Sequence, residues 1–254
     1  MKKNIYLVII WVITILAIGF GMIYHMTDWG DHIRDNVGIK TYAKRQQFDD
    51  TLKAFDKISF DVDLAEIRIE AGAEYHIFCE STNNVIPEYE LEGTMLQITQ
   101  SSKNRHFPRR NGNDNCIIVI TVPRDVTLSD ITGDCSMGDL QMGGFAADTI
   151  SVNCNMGEVV FSDVSAKDIT CECNLGNCEI KDCSFDNLKA DNDMGNVEVT
   201  SSQPLSDYSM DLSVSMGGIE VNGEDYTSHY KQKGESDKTI TISNNMGSVE
   251  VEEK

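Results

Sequence analysis

Residues 153–161 read NCNMGEVVF; DCSMGDLQM stands 19 residues earlier (134–142) and ECNLGNCEI 19 residues later (172–180). Aligned on the apolar residue before the glycine, the series continues as DNDMGNVEV, SVSMGGIEV and SNNMGSVEV. The aligned apolar residues are Met137, Met156, Leu175, Met194, Met216 and Met246: an even period through Met194, then two longer intervals. A further copy upstream, DVDLAEIRI, has Leu64-Ala65 in place of Met-Gly. A fixed period near 20 denotes stacked repeats, each unable to bury its own apolar face alone.

The pattern inside the repeat selects the architecture. The Leu-x-x-Leu-x-Leu frame of leucine-rich repeats is absent. Alternation with a period of two points to strands, with Ile150, Val152, Cys154 and Met156 inward in one copy and Ile169, Cys171, Cys173 and Leu175 inward in the next. After Gly157 the inward set restarts at Val159 and Phe161, and after Gly176 at Cys178 and Ile180. A glycine corner between two strands in every repeat makes a coil. Coils stacked in parallel about 4.8 Å apart form an all-β, parallel β-solenoid (β-helix) with coils of about 19 residues. Glycine suits such a corner because positive φ or a close neighbouring backbone excludes a Cβ.

Upstream of the repeats the period is also two. Phe55, Ile58, Phe60, Val62 and Leu64 begin a strand region, and the segments YHIFCE, YELEGTMLQITQ and CIIVITVP follow, with Gly93-Thr94 marking a hairpin between Leu91 and Met95. The expected organisation is a cytoplasmic stub and transmembrane helix over 1–24, a juxtamembrane linker over 25–54 with a short helix around 42–52, and a solenoid domain over 55–254. Its repeats centre on residues 64, 137, 156, 175, 194, 216 and 246.

The first segment carries the expectation about location. Residues 5–24, IYLVIIWVITILAIGFGMIY, form an uncharged run of the length a helix needs to cross about 30 Å of hydrocarbon. Lys2 and Lys3 precede it, and Asp28 and Asp31 follow before the first base, Arg34. This charge bias favours a single-pass cell-membrane protein with a cytoplasmic N-terminus and an extracytoplasmic C-terminal domain. The small-x-small triplet Ala17-Ile18-Gly19 leaves cleavage as a secretory signal open.

Charge narrows the partners. The 254-residue chain has a formal net charge of -20, and its second half, 125–254, carries 7 Lys and Arg against 25 Asp and Glu. Nucleic acid is excluded as a partner, since phosphate backbones are bound by clustered bases. Outward positions flanking the inward Cys or its equivalent form an acidic, amide-rich stripe: Asp134 and Ser136, Asn153 and Asn155, Glu172 and Asn174, Asp191 and Asp193. Calcium would suit such oxygens, but its nonapeptide motif is absent. The loop over residues 101–115 concentrates Lys103, Arg105, Arg109 and Arg110 beside Phe107; it reads as a polar hairpin tip, with contact to anionic lipid or wall polymer as the alternative.

The eight cysteines have places in the pattern. Cys135, Cys154 and Cys173 share one inward ladder, continued by Asn192, Val214 and Asn244 and preceded by Val62; they read as small core residues with free thiols. Stacked side chains about 4.8 Å apart are too far for the roughly 3.8 Å between the Cβ atoms of a disulfide. Cys178 with Cys183 and Cys79 with Cys116 stay open as pairs. The spacing of Cys171, Cys173, Cys178 and Cys183 matches no standard zinc motif.

The anchor, the opening segment FDKISFDVDLAEIRIEAG (55–72) and the repeated x-Met-Gly-x-Val-x-Val units resemble the bacterial membrane-anchored β-strand-repeat proteins labelled "putative adhesin". The resemblance runs from Phe55 to the C-terminus. It implies a single-pass envelope protein without established catalysis, some relatives being associated with envelope-stress systems, and it transfers no functional residues.

The expected function is a non-enzymatic binding, adhesion or envelope-stress module whose partner is a protein or a glycan. An enzyme acting on envelope polysaccharide through surface carboxylates is the alternative. His76, His106 and His229 are scattered, and the Gly-x-Ser-x-Gly, His-Glu-x-x-His and phosphate-loop motifs do not occur. No catalytic, cofactor-binding or metal-ligating residue is assigned.

Overall fold

The computed structural model describes residues 45–82, 87–100 and 116–254. The apolar segment 5–24, most of the expected linker and the basic loop 101–115 lie outside the described residues. Residues 44–254 form one compact unit, and no described helix is long and apolar enough to cross a membrane.

The N-terminal end of this unit is built by β1 (Arg45–Thr51), β2 (Lys57–Val62), β3 (Glu66–Gly72), β4 (His76–Thr82), β5 (Glu88–Glu92), β6 (Met95–Gln100) and β7 (Cys116–Pro123). The short helix expected around 42–52 is replaced by β1, which pairs antiparallel with the edge of β4. Phe48 of β1 packs on Tyr89 with ring centroids 5.0 Å apart, so a free strand edge and an aromatic contact override local helix propensity. The hairpin read at Gly93 is present, with Leu91 opposite Leu96 and Gly93 at φ 62°.

The coils follow in pairs of strands. They are β8 (Thr127–Cys135) and β9 (Leu140–Gly143), β10 (Ala146–Met156) and β11 (Val159–Ser162), β12 (Ser165–Leu175) and β13 (Cys178–Cys183), then β14 (Asn187–Met194) and β15 (Val197–Ser201). The chain ends through β16 (Tyr208–Met216), β17 (Ile219–Val221), β18 (Glu224–Tyr226), β19 (His229–Gln232), β20 (Lys238–Met246) and β21 (Val249–Glu253). One strand of each coil joins an 11-stranded sheet and the other a 10-stranded sheet; the coils pair in parallel, and antiparallel pairs are confined to the two ends. The register carries the sequence period into space: Ile150 lies beside Ile131 and Ile169, and Phe161 beside Met142 and Ile180. These all-β, parallel-rich sheets enclose one apolar core of stacked ladders.

Spatial order departs from chain order at two places. The upstream copy, β2 and β3, stacks beside β8 and β9 although β4 to β7 intervene in sequence. The last coil, β20 and β21, inserts between β14–β15 and β16–β17 rather than extending the end. The long interval between Met216 and Met246 holds β18 and β19, which fold back antiparallel on β17 and β16 and cap that end of the stack.

The corners are as expected in backbone and different in one side chain. Gly157 and Gly176 have φ of 147° and 150°, and a Cβ on Gly157 would run into the carbonyl oxygen of Gly138, just as one on Gly176 would meet that of Gly157. Met156 and Leu175, expected inward, point outward instead and are 45% and 39% exposed. Strand alternation ends one residue before them: Cys154 is buried, Asn155 and Met156 are both exposed, and burial resumes at Val159. The bend consumes the intervening residues, so the side chain before the glycine lies on the outside of the corner.

Candidate functional site

One exposed apolar side chain per coil, stacked at the corner, makes a continuous ladder. Its order in space is Met216, Met246, Met194, Leu175, Met156 and Met137, with direct register from Met216 through Met156 and a backbone hydrogen bond from Gly138 N to the Met156 carbonyl carrying it on to Met137. Exposure runs from 39% at Leu175 to 58% at Met216, and these six are the large hydrophobic residues left exposed among the described residues. The six make a contiguous apolar strip rather than scattered single exposures.

A row of side-chain contacts underlies the ladder. Beneath four of the corners a side chain reaches the carbonyl of the neighbouring rung's corner: Cys154 Sγ lies 3.4 Å from Gly138 O, Cys173 Sγ 3.6 Å from Gly157 O, Asn192 Nδ2 3.2 Å from Gly176 O and Asn244 Nδ2 2.9 Å from Gly195 O. Thiol and amide thus serve as alternative donors to the corner carbonyl whose position excludes a Cβ. The ladder of cysteines is more than small core filling, and the alternation of Cys with Asn at one repeat position was the sequence signal for it. All eight cysteines are buried and unbridged; Cys178, open to pairing with Cys183, has its sulfur 3.2 Å from that of Cys171. Contact with Cys154 and burial push the Cys135 and Cys173 thiols well above their ordinary value, and burial pushes Cys183 up to about 11.

Acidic and amide groups line both sides of the ladder. Toward the 10-stranded sheet lie Asp134, Glu172, Asp191 and Asp193, joined by amide ladders in which Asn174 Nδ2 donates to Asn155 Oδ1 at 2.7 Å and Asn245 Nδ2 to Asp193 Oδ1 at 2.7 Å. Glu172, Asn174, Asp191, Asp193, Ser243 and Asn245 surround a shallow polar depression there. Toward the 11-stranded sheet Asp139 and Glu158 stand nearest, followed by a stacked row of Glu220, Glu250, Glu198 and Glu179. Burial, with Glu179 and Asp139 adding repulsion, raises the Glu158 carboxyl above its usual range. Burial and the neighbours Glu252, Glu220 and Glu198 do the same to Glu250. Lys189 offsets Asp191 at 2.6 Å, and Lys181 offsets Glu179.

Other groups weighed from the sequence are dispersed. His76 bonds Asp49 at 2.7 Å at the N-terminal end and His229 lies 3.6 Å from Asp211 at the opposite cap, while His106 is outside the described residues. Glu220, Glu250 and Glu252 bring three carboxylates within 4.8 Å of one another, an exposed acidic cluster.

The comparisons with known proteins agree with this fold. The model of the Toastrack DUF4097 family matches residues 55–253. The chain belongs to this family. A crystal structure described as a "putative cell adhesion protein" from Clostridium sporogenes superposes with a TM-score of 0.54 at 15% identity, covering 83% of this chain and 100% of that one. A "putative adhesin" from Bacteroides fragilis matches with a TM-score of 0.45 at 14% identity, covering 82% and 97%. A "putative lipid binding protein" from Parabacteroides distasonis matches at 0.33 and 14%, covering 83% and 97%. No curated protein matches the chain. None of these three structures is described as an enzyme, and at such identities the likeness of this Toastrack chain to the Clostridium sporogenes protein is one of fold.

Proposed function

We propose that this Toastrack chain is a single-pass bacterial envelope protein whose acidic solenoid is a non-enzymatic binding module. The observation that carries the reading is the exposed Met/Leu ladder, six rungs long, on a rigid stack of coils. A solenoid presents an extended surface with little reorganisation, which suits recognition. The apolar segment 5–24 supplies the anchor, and the lysines before it put the solenoid outside the cytoplasm.

Two measurements test this. Protease added to intact spheroplasts should digest the solenoid; full protection reverses the topology. A photo-crosslinking residue at position 156 should yield a discrete adduct in intact cells, and the same residue at Thr241, away from the ladder, should not. Equal adducts from both positions, or none, would overturn the ladder as the binding face.

A further inference from the structure

We infer that the Met/Leu ladder docks a basic amphipathic helical segment of a partner protein, laid lengthwise along the corners of the solenoid. The inference rests on the binding-module reading and names the chemistry of its partner. Three observations converge on it: the pitch of the ladder, the softness of its residues and the sign of the charge on either side.

The pitch comes first. Six rungs at the roughly 4.8 Å spacing of paired strands span about 24 Å, the length of a helix of about 16 residues at 1.5 Å each. One face of a helix presents apolar side chains about every 5.4 Å, near the rung spacing. The mismatch of about 0.6 Å per rung accumulates to about 3 Å over five intervals, which unbranched side chains can absorb. An extended segment presents same-side residues about every 6.6–6.8 Å and falls out of step by about 2 Å at each rung. The spacing therefore favours a helix over a strand.

Residue type comes next. Five of the six rungs are Met and the sixth is Leu. Methionine has three rotatable bonds and a polarizable sulfur, and it is over-used on surfaces that repack around varied apolar partners. Each rung sits directly over a fixed glycine corner, so the backbone is rigid and the adaptability is confined to the side chains.

Charge sets the polarity of the partner. The rows beside the ladder carry Asp134, Glu172, Asp191 and Asp193 on one side and Asp139, Glu158 and the four-glutamate row on the other, with Lys189 paired to Asp191 and Lys181 to Glu179. Glu158 and Glu250 are part-buried, which raises their carboxyls first, and the like charges of Glu179 and Asp139 at one and of Glu252, Glu220 and Glu198 at the other add to it. Lysines or arginines flanking an apolar helical stripe would fall over both rows and relieve that crowding. A second copy of this chain would bring the same acidic rows together, and an anionic lipid surface would be repelled.

The test uses the full-length chain in zwitterionic lipid nanodiscs with 13C-methyl-labelled methionine. The probe is a Lys/Leu peptide of about five helical turns with one apolar face. Two controls accompany it: a scrambled peptide of the same composition, and a version with every Lys replaced by Gln. The amphipathic peptide should shift the methyl signals of Met137, Met156, Met194, Met216 and Met246, and leave buried Met142 and Met210 unmoved. The double substitution Met156→Gln and Leu175→Gln, both at exposed positions, should weaken its binding at least tenfold with an unchanged melting temperature. Raising salt should weaken binding further.

Equal binding by the scrambled peptide would leave only charge attraction and overturn the ladder as a helix site. Equal binding by the Gln version would overturn the requirement for a basic partner. Absence of methyl shifts with the amphipathic peptide would overturn the inference as a whole. If the position-156 crosslink in cells nonetheless captured a glycan or an acidic protein, the binding-module reading would stand and this one would fall.

Discussion

The thiol of Cys173 lies 3.6 Å from the carbonyl oxygen of Gly157, one coil away, and an asparagine amide makes the equivalent contact two coils further on. Within the ladder a small donor takes this position at Cys154, Cys173, Asn192 and Asn244, whereas Val62 and Val214 fill it at the two ends. Cys173→Val should lower stability by about 1–2 kcal/mol, because the buried carbonyl loses its thiol partner. Cys173→Asn should cost less than Val, since Asn192 and Asn244 already occupy this ladder. Denaturant midpoints of both variants decide it; a Val variant as stable as the parent would reduce the thiol to space-filling.

Gly157→Val combines a β-branched residue at φ 147° with a clash against the Gly138 carbonyl and should cost about 2–4 kcal/mol. Glu158→Gln, one residue on, should leave stability unchanged or slightly raised, because it removes one of several crowded negative charges. Equal midpoints for Gly157→Val and the parent would mean the glycine corner is not required.

Two methionines separate exposure from burial with the same chemistry. Met142 is 3% exposed and Met194 47%. Met142→Ala should cost about 2–4 kcal/mol through lost burial and a cavity, whereas Met194→Ala should stay within about 0.5 kcal/mol. Comparable losses at both sites would return the ladder to the core.

The crowded carboxyls predict a pH response. Glu158 and Glu250 have raised folded values, so in the window between those values and the ordinary 4.5 the folded state binds more protons than the unfolded one. Charging them costs the fold stability, so their contribution to stability rises as pH falls through the window above 4.5. Asp56, held low first by its hydrogen bond with Thr94, acts in the opposite sense below its ordinary 3.8. Unfolding midpoints measured across this range should rise on acidification, and Glu158→Gln with Glu250→Gln should flatten the rise. A midpoint that falls monotonically from neutral pH would contradict the raising of these carboxyls by burial and like charge.

The coil architecture was legible because Gly157 and its equivalents recur at a fixed offset from alternating residues, which tied corner and strand parity together. Parity itself pointed Met156 to the wrong side: a period of two cannot show where a strand ends, and the bend starts one residue earlier than the alternation suggests. The strand over 45–51 escaped because its pairing edge, β4, lies beyond β2 and β3 in sequence. The longer intervals before Met216 and Met246 revealed insertions but not that the final coil is placed out of order, since the SNNMGSVEV copy fits any neighbouring rung equally well. The exposed ladder became visible only once side-chain direction at the corner was known.

The placement of β20 and β21 between two earlier coils bears on how the protein is made. When a nascent chain has emerged as far as Val221, the strands on either side of the final coil's position exist, yet the layer that joins them is still unsynthesised. Residues 238–253 therefore act as a keystone, and the stack closes only once they have been made. A product cut short before Lys238 leaves two open edges in the middle of each sheet rather than a shorter stack with one edge per sheet at its end. Open edges recruit other strands and invite aggregation, so the topology makes the presence of residues 238–253 a condition for a well-behaved fold.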